Sequence, residues 1–272
     1  MEVTEKSLFY LYCITNKTPQ LKEAANLTDN LYCLQENGLY AVVSKVKESE
    51  FSQENLKKNL ADFEWIKVKA SLHEQIIEAV MKESCVMPFK LGTLFYTEDS
   101  LKSYVDQNIQ GFKETLDFLD GKEEWGLKMY CDIAELKDAL LKEDEEFLEK
   151  DKEISSASAG KGFFLKKQKE ELLETWVNKK LNEYGQEAFE SLREHSLQVR
   201  LNKVLPKEVT ERNEDMILNA AFLVEKSQWG TFKNTAETLQ VRYEKSGFSA
   251  DCTGPWPPYN FSSVLPKEVV PK

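Results

Sequence analysis

Residues 7–14 have the sequence SLFYLYCI, and this stretch decides the fold of the first half of the chain. Its side chains alternate between two faces that are both apolar: Leu8, Tyr10, Tyr12 and Ile14 on one, and Phe9, Leu11 and Cys13 on the other. Two apolar faces are typical of a strand in the interior of a sheet. The sequence therefore predicts a central strand that is covered on both sides.

Two features follow this strand along the chain. Asn37-Gly38 separates the apolar runs 30–34 and 39–46, and it predicts a β-hairpin because both turn residues accept a positive φ. Apolar residues then recur at three- and four-residue steps, which predicts a helix over about residues 53–83 with a broad apolar face against a sheet.

The elements that close the first half continue this pattern. A short strand is predicted at 85–87, a helix from Thr97 as the N-cap to about Leu119, and a strand at 125–131. The order β-β-β-α-β-α-β indicates an α+β fold. We expect the first domain to cover residues 1–132.

An acidic stretch follows the first domain. Residues 133–153 contain nine acidic residues and four lysines, which indicates an exposed helix. Its acidic face is either solvated or a docking surface for basic residues of a partner, and the candidate partner-binding residues are Glu143, Asp144, Glu145 and Glu146. Small residues at 155–160 predict a linker, so residues 133–160 are expected to separate two domains.

The second half again combines helices and strands. A long helix is predicted from Lys161 to Glu194, and the later elements are strands at 197–201, 216–224 and 248–252 and a helix at 227–241. This order predicts a second α+β domain, over residues 161–253, that has a long helix and a small antiparallel sheet.

Residues 254–261, GPWPPYNF, form a proline–aromatic segment. Proline lacks an N–H and has a fixed φ, which excludes a helix or a central strand and predicts a stiff, extended conformation. The aromatic side chains must dock either on this chain or on a partner. Trp256, Tyr259 and Phe261 are therefore candidate partner-binding residues in a tail over 254–272.

A literal repeat also involves this tail. The sequence VLPKEV occurs at 204–209 and again at 264–269. The repeat either has no structural meaning or indicates that both copies pair with equivalent surfaces.

Composition excludes several classes of function. A formal net charge of −11 and a pI near 5.0 oppose binding to nucleic acid or anionic membranes. No apolar run approaches the roughly 20 residues that span a bilayer, and the charged start lacks the pattern of a signal peptide. We expect a cytoplasmic protein that is a monomer on its own.

Residues with catalytic or metal-binding chemistry are few. The five cysteines form no C-x-x-C pair and are expected to be free thiols, and two histidines give no zinc-binding pattern. His73 lies on an apolar helix stripe, where a hydrogen-bonded core histidine is commoner than a general base. Without a nucleophile elbow or a phosphate loop, the sequence predicts no cofactor and no enzymatic activity.

Six segments, in order along the chain, resemble the gas vesicle F/L family (GvpF and GvpL). They are FYLYCI at 9–14, Trp65 with His73, VMPFKLGTLF at 86–95, GKEEWGLK at 121–128, SAGKGFFLKK at 158–167 and GPWPPYNF at 254–261. Cys13 stands where the family usually has glycine. The matches cover nearly the whole chain. They do not separate the F member from the L member, and our prediction leans slightly to L.

This resemblance implies a modified ferredoxin-like first domain and an α+β second domain. It also implies an accessory protein, not known as an enzyme, that binds the small hydrophobic shell protein or other accessory proteins during gas vesicle nucleation and assembly. The alternative is a minor structural component of the vesicle, and a small-molecule enzyme is a distant third.

Overall fold

The computed structural model describes residues 6–262, except the side chain of Glu143. Within that range the chain forms two compact units. Unit 1 comprises residues 6–123 and 256–262, and unit 2 comprises residues 124–255. Both combine helices with a sheet, which confirms the predicted α+β fold.

Unit 1 contains five strands and five α-helices among its described residues. They are β1 (Ser7–Thr15), β2 (Leu31–Glu36), β3 (Leu39–Lys47), α1 (Glu48–Phe51), α2 (Gln53–Asn59), α3 (Phe63–Met81), β4 (Val86–Pro88), β5 (Leu94–Phe95), α4 (Glu98–Gln107) and α5 (Ile109–Leu119).

The sheet of unit 1 has β1 in its interior, as predicted. The strand order is β2-β3-β1-β4, and β5 pairs with β1 next to β4. Residues of α4 and α5 cover one face of the sheet, and residues of α1 and α3 cover the other. The predicted hairpin is present between β2 and β3, with Asn37 and Gly38 at φ 48° and 83°.

A β-bulge in β1 changes the predicted division of its side chains. The pairing with β3 shifts between Leu11 and Cys13, so one extra residue is inserted there. Ile14 consequently joins Leu11 in the core under α4 and α5, while Cys13 joins Tyr12 in the core under α3. The predicted faces are therefore wrong beyond Tyr12, because a one-residue slip moves every later side chain to the opposite face.

Caps divide what the sequence predicted as continuous helices. The predicted helix at 53–83 is α2 and α3, since the Asp62 side chain accepts the backbone N–H groups of Glu64 and Trp65 and starts a new helix. Thr97 caps α4 as expected and forms a capping box with Ser100. The helix predicted to reach Leu119 is interrupted at Asn108.

Unit 2 contains the remaining elements. They are β6 (Lys122–Cys131, which begins two residues before unit 2), α6 (Ile133–Glu143), α7 (Glu145–Ser156), α8 (Ala159–Arg193), β7 (Gln198–Leu201), α9 (Lys207–Thr210), β8 (Asp215–Glu225), α10 (Trp229–Tyr243) and β9 (Phe248–Trp256, which ends one residue after unit 2). The long helix α8 is unbroken at Gly185, as its apolar spacing predicted.

The strand β6 joins the second sheet, which corrects the predicted first domain of residues 1–132. The order in this sheet is β7-β8-β6-β9. Trp125, Leu127, Met129 and Cys131 of β6 belong to the core of unit 2. Sequence order alone does not say which sheet a strand joins, and the boundary of unit 1 lies at the start of this strand rather than after its end.

The predicted acidic helix and linker at 133–160 are also corrected. The stretch forms two helices, α6 and α7, and both bury apolar side chains, including Leu136 and Phe147. Only Ala157 and Ser158 lie between α7 and α8. The hydroxyls of Ser155 and Ser156 bond back to the carbonyl of Lys152, which lets these small residues continue the helix. The predicted second domain, 161–253, accordingly begins too late.

The last strand runs into the proline–aromatic segment, so the predicted tail at 254–272 begins too early. The strand β9 continues through Gly254 and Pro255 to Trp256, at the edge of its sheet, where a proline is tolerated. Gly254 has φ 143°, and a Cβ there would lie 2.8 Å from Cε3 of Trp125. The second VLPKEV copy, at 264–269, lies outside the described residues.

Candidate partner-binding site

A buried polar network in unit 1 has His73 of α3 at its centre. Tyr10 Oη lies 3.0 Å from His73 Nδ1, and Gly92 N donates to Tyr10 Oη at 2.9 Å. On the other side of the ring, Nε2 lies 2.9 Å from the carbonyl oxygen of Phe89 and 3.1 Å from Oη of Tyr259. The network thus ties β1, α3, the turn after β4 and the proline–aromatic segment together.

The partners of His73 define its protonation state. The Phe89 carbonyl can only accept, so Nε2 carries the proton, and Nδ1 accepts the hydroxyl proton of Tyr10. Burial lowers the pKa of His73 to about 4, although the Phe89 carbonyl acts in the opposite direction. The ring is therefore neutral near pH 7, and His73 is the hydrogen-bonded core histidine that the sequence predicted.

Tyr259 and Glu74 extend this network. Oη of Tyr259 donates to Oε2 of Glu74 at 3.1 Å. Burial raises the pKa of Glu74, the hydrogen bond from Tyr259 lowers it, and repulsion from Glu78 raises it. Burial, followed by the charge of Glu74, raises the pKa of Tyr259. The tyrosine hydroxyl thus satisfies two groups of α3.

An open groove of about 370 Å³ lies on unit 1 beside this network. We call it the unit 1 groove, and the residues that line it are Tyr10, Tyr12, Thr28, Asp29, Asn30, Lys45, Val46, Lys47, Glu50, Phe51, Lys69, Leu72 and His73. Its lining combines four rings with three lysines and two carboxylates. Apolar and aromatic walls with a few charged groups are the usual composition of a binding site of this size.

One wall of the unit 1 groove is held by contacts between α1 and α3. Lys69 pairs with Glu50 at 2.7 Å, and the same carboxylate accepts Nε1 of Trp65 at 3.0 Å. The Lys69 ammonium also lies 5.4 Å from the centroid of the Phe51 ring. These contacts fix the Lys69 ammonium beside an aromatic ring and a carboxylate on this wall of the groove.

Three of the predicted partner-binding residues lie in unit 1. Trp256 is 40% exposed at the end of β9, whereas Phe261 is only 1% exposed. Tyr259 is half-buried against α3, and the backbone around it is closed by a turn in which Phe261 N donates to the carbonyl of Pro258 at 3.2 Å. Two of these aromatic side chains are thus docked on their own chain, and their role in partner binding stays a prediction.

The predicted acidic residues lie in unit 2, and the three whose side chains are described differ in their surroundings. Glu143 ends α6, and the Asp144 side chain caps α7 by accepting the N–H of Glu146. Oε2 of Glu146 accepts Nε1 of Trp176 at 3.2 Å, while Glu145 is exposed. Binding of a partner by this stretch also stays a prediction.

The sequence analysis missed the unit 1 groove. Its lining comes from β1, the loop before β2, β3, α1 and α3, and no short motif contains these residues. The one local signal is Trp65 followed by Lys69, one helical turn later, after the aromatic Phe51.

Metal-binding clusters and membrane-spanning helices are both absent from the described residues, 6–262. No group of three or more histidine, cysteine, aspartate or glutamate side chains there is arranged to hold a metal ion. Within the same range, no helix has the length and apolar character needed to cross a membrane. All five cysteines lie in the described range and are thiols outside any disulfide, as expected.

Comparison with known proteins identifies the class. The model of the family "Gas vesicle synthesis protein GvpL/GvpF" matches residues 8–263, and the chain belongs to this family. It is therefore a gas vesicle protein of the F/L type, as the sequence resemblance predicted.

Two relatives and two solved structures are similar over most of their lengths. Gas vesicle protein L1 of Halobacterium salinarum is 24% identical over 95% of this chain and 91% of its own length. Gas vesicle protein L of a Streptomyces species is 22% identical over 87% of this chain and 84% of its own length. The crystal structure of GvpF from Anabaena sp. PCC7120 aligns with a TM-score of 0.66 and covers 94% of this chain and 98% of its own. The crystal structure of GvpF from Microcystis aeruginosa aligns with a TM-score of 0.61 and covers 94% of this chain and 99% of its own. Both are 18% identical in sequence to this chain.

Proposed function

We propose that this protein is a non-catalytic accessory protein of gas vesicle formation. In this proposal it acts in the cytoplasm and binds the small hydrophobic shell protein, other accessory proteins, or both, while the vesicle nucleates and grows. Membership of the gas vesicle synthesis family supports the process. The unit 1 groove is the observation that carries the binding role.

The chemistry of the unit 1 groove suits a peptide segment better than a reacting substrate. Val46 and Leu72 supply half-buried apolar surface above rings that are almost fully buried, and Lys45 supplies an exposed cation beside Lys69, which is held in place by Glu50. An apolar segment with an acidic flank therefore complements the groove.

The predicted contact residues keep a place in this proposal. The side chains of Glu145 and Trp256 are exposed, and in this proposal both contact a partner. Tyr259 and Phe261 hold the proline–aromatic segment on unit 1 and so fix the position of Trp256.

Co-expression with the shell protein, followed by pull-down of this chain under mild salt, tests the proposal. Thr28 lines the unit 1 groove and is half-buried, so Thr28→Trp is designed to fill part of its volume. The matched control is Thr238→Trp on an exposed turn of α10, in unit 2. We expect the control and the unchanged protein to retain soluble shell protein and Thr28→Trp to retain much less.

Equal retention by both variants would contradict binding in the groove. Failure of the unchanged protein to retain any shell protein would contradict direct shell binding and direct the same assay to the other accessory proteins. A urea wash of isolated vesicles completes the design. An accessory protein should be stripped, whereas a structural component should continue to float with the vesicles.

A further inference from the structure

An exposed aromatic tip lies at the start of α8 in unit 2. Phe163 is 75% exposed and Phe164 is 60% exposed, and Lys166 and Lys167 are exposed one turn later. We call these four residues the phenylalanine tip. Adjacent exposed phenylalanines on a helix are costly in water and commonly mark an interaction surface.

The helices α7 and α8 form an antiparallel hairpin that gives this tip a second, complementary end. Only two residues join the helices, Lys169 pairs with Asp151 at 2.7 Å, and Trp176 donates to Glu146 at 3.2 Å. Later residues of α8 thus contact earlier residues of α7, so the two helices are antiparallel. The start of α7 therefore lies beside the middle of α8, far from the tip.

The far end of the hairpin is acidic and also carries an exposed apolar residue. Glu145 and Glu149 of α7 are exposed, and Leu148 between them is 41% exposed. We call these three residues the acidic base. At 1.5 Å per residue, Phe163 lies about 16 Å along α8 from Glu174, which is near the level of the base.

We propose that the phenylalanine tip binds the acidic base of a second copy of this chain. Two hairpins related by a two-fold axis, antiparallel to each other, place each tip on the other copy's base. The two lysines then face the two glutamates, and the phenylalanines cover Leu148. A two-fold arrangement makes the same contact twice, which is the usual geometry of a homodimer.

Charge complementarity favours this occupant. The chain has a net charge of −11, so two copies repel each other overall, and a stable contact needs a local basic surface against an acidic one. The hairpin supplies both surfaces with apolar residues inside each. This proposal departs from the monomer that we expected from the sequence.

Sedimentation equilibrium of the full chain over a wide concentration range tests the proposal. We expect a monomer–dimer equilibrium that weakens as salt is added. Phe163→Ser with Phe164→Ser should weaken dimerisation about tenfold or more, as expected when central aromatic anchors are lost. A protein that remains monomeric at every concentration, or a dimer unaffected by these changes, would overturn the proposal.

A charge exchange gives a sharper test and does not depend on core residues. Lys166→Glu with Lys167→Glu makes the tip acidic, and Glu145→Lys with Glu149→Lys makes the base basic. Each double variant alone should be monomeric, because like charges then meet at both contacts. An equimolar mixture should form a heterodimer, since each tip then meets an opposite charge.

Homodimers of either charge-exchanged variant, or a mixture that stays monomeric, would contradict the proposed contact. Circular dichroism of each variant establishes that the helices are intact. The result is independent of the unit 1 groove, because dimerisation is measured without any shell protein.

Discussion

Tyr259 and His73 are 186 positions apart in the sequence, yet Oη of Tyr259 lies 3.1 Å from Nε2 of His73. The two belong to the second and the last of the six segments that carry the family resemblance, and unit 1 brings them together at α3. Unit 1 is therefore completed only when the proline–aromatic segment returns to it after unit 2.

Tyr259→Phe tests how much this contact stabilises unit 1. The substitution keeps the ring and removes the hydroxyl, leaving Glu74 without its donor. Loss of a hydrogen bond to a charged or buried group costs about 1–3 kcal/mol, so the thermal midpoint should fall. Tyr96→Phe, at an exposed tyrosine, is the matched control. Equal midpoints for the two variants would show that the contact contributes nothing.

The pH dependence of stability should contain a contribution from His73. Its pKa of about 4 in the folded chain lies below the ordinary value of 6.5, so the unfolded chain binds more protons between these values. Above pH 6.5 the neutral His73 contributes fully to the free energy of unfolding. As pH falls from 6.5 toward 4 this contribution is lost, and the free energy of unfolding decreases by up to about 3 kcal/mol. Glu74 offsets part of it, because its raised pKa favours the folded state when the carboxyl is protonated.

Denaturant unfolding at several pH values between 4 and 7 measures the slope of the free energy of unfolding against pH. His73→Gln should flatten it, because the amide does not titrate. Exposed Thr238 provides the control, because Thr238→Gln changes no titratable group and should leave the slope unchanged. An unchanged slope in His73→Gln would exclude His73 as its source.

Two glycines in unit 2 should respond to alanine in opposite directions. At Gly254 a Cβ would lie 2.8 Å from Trp125 and 2.9 Å from the Glu124 carbonyl, and φ is 143°. Gly254→Ala should therefore destabilise unit 2 by about 1–3 kcal/mol, as overpacking does.

At Gly185, in the interior of α8, a Cβ meets open space. Gly185→Ala should stabilise by about 1 kcal/mol. Thermal unfolding of both variants measures whether each midpoint rises or falls. A change in the same direction for both would contradict the difference in space that the structure gives the two glycines.

Two neighbouring residues of the acidic stretch should affect stability and partner binding differently. Asp144 caps α7, so Asp144→Ala should lower stability by about 1 kcal/mol. Glu145 is exposed, so Glu145→Ala should leave the thermal midpoint nearly unchanged. If Glu145 contacts a partner, its variant should weaken pull-down without a change in the midpoint. A large fall in the midpoint for Glu145→Ala would show that its side chain has a structural role.

Local patterns in the sequence predicted the type and approximate position of most elements. The two-faced apolar run made β1 a central strand, Asn37-Gly38 placed the first hairpin, and Thr97 placed the start of α4. These predictions succeed because periodicity, turn conformation and capping depend on residues close together in the chain. The motifs also identified the family, which the match over residues 8–263 confirmed.

Only the tertiary structure decided which elements share a sheet and which residues form the site. The strand β6 follows α5 directly in sequence but packs its tryptophan into the core of unit 2, and a bulge of one residue reverses the sides of Cys13 and Ile14. The unit 1 groove assembles residues from several elements, and the His73 network needs a tyrosine from the far end of the chain. Such relationships depend on long-range packing, which local propensity does not encode.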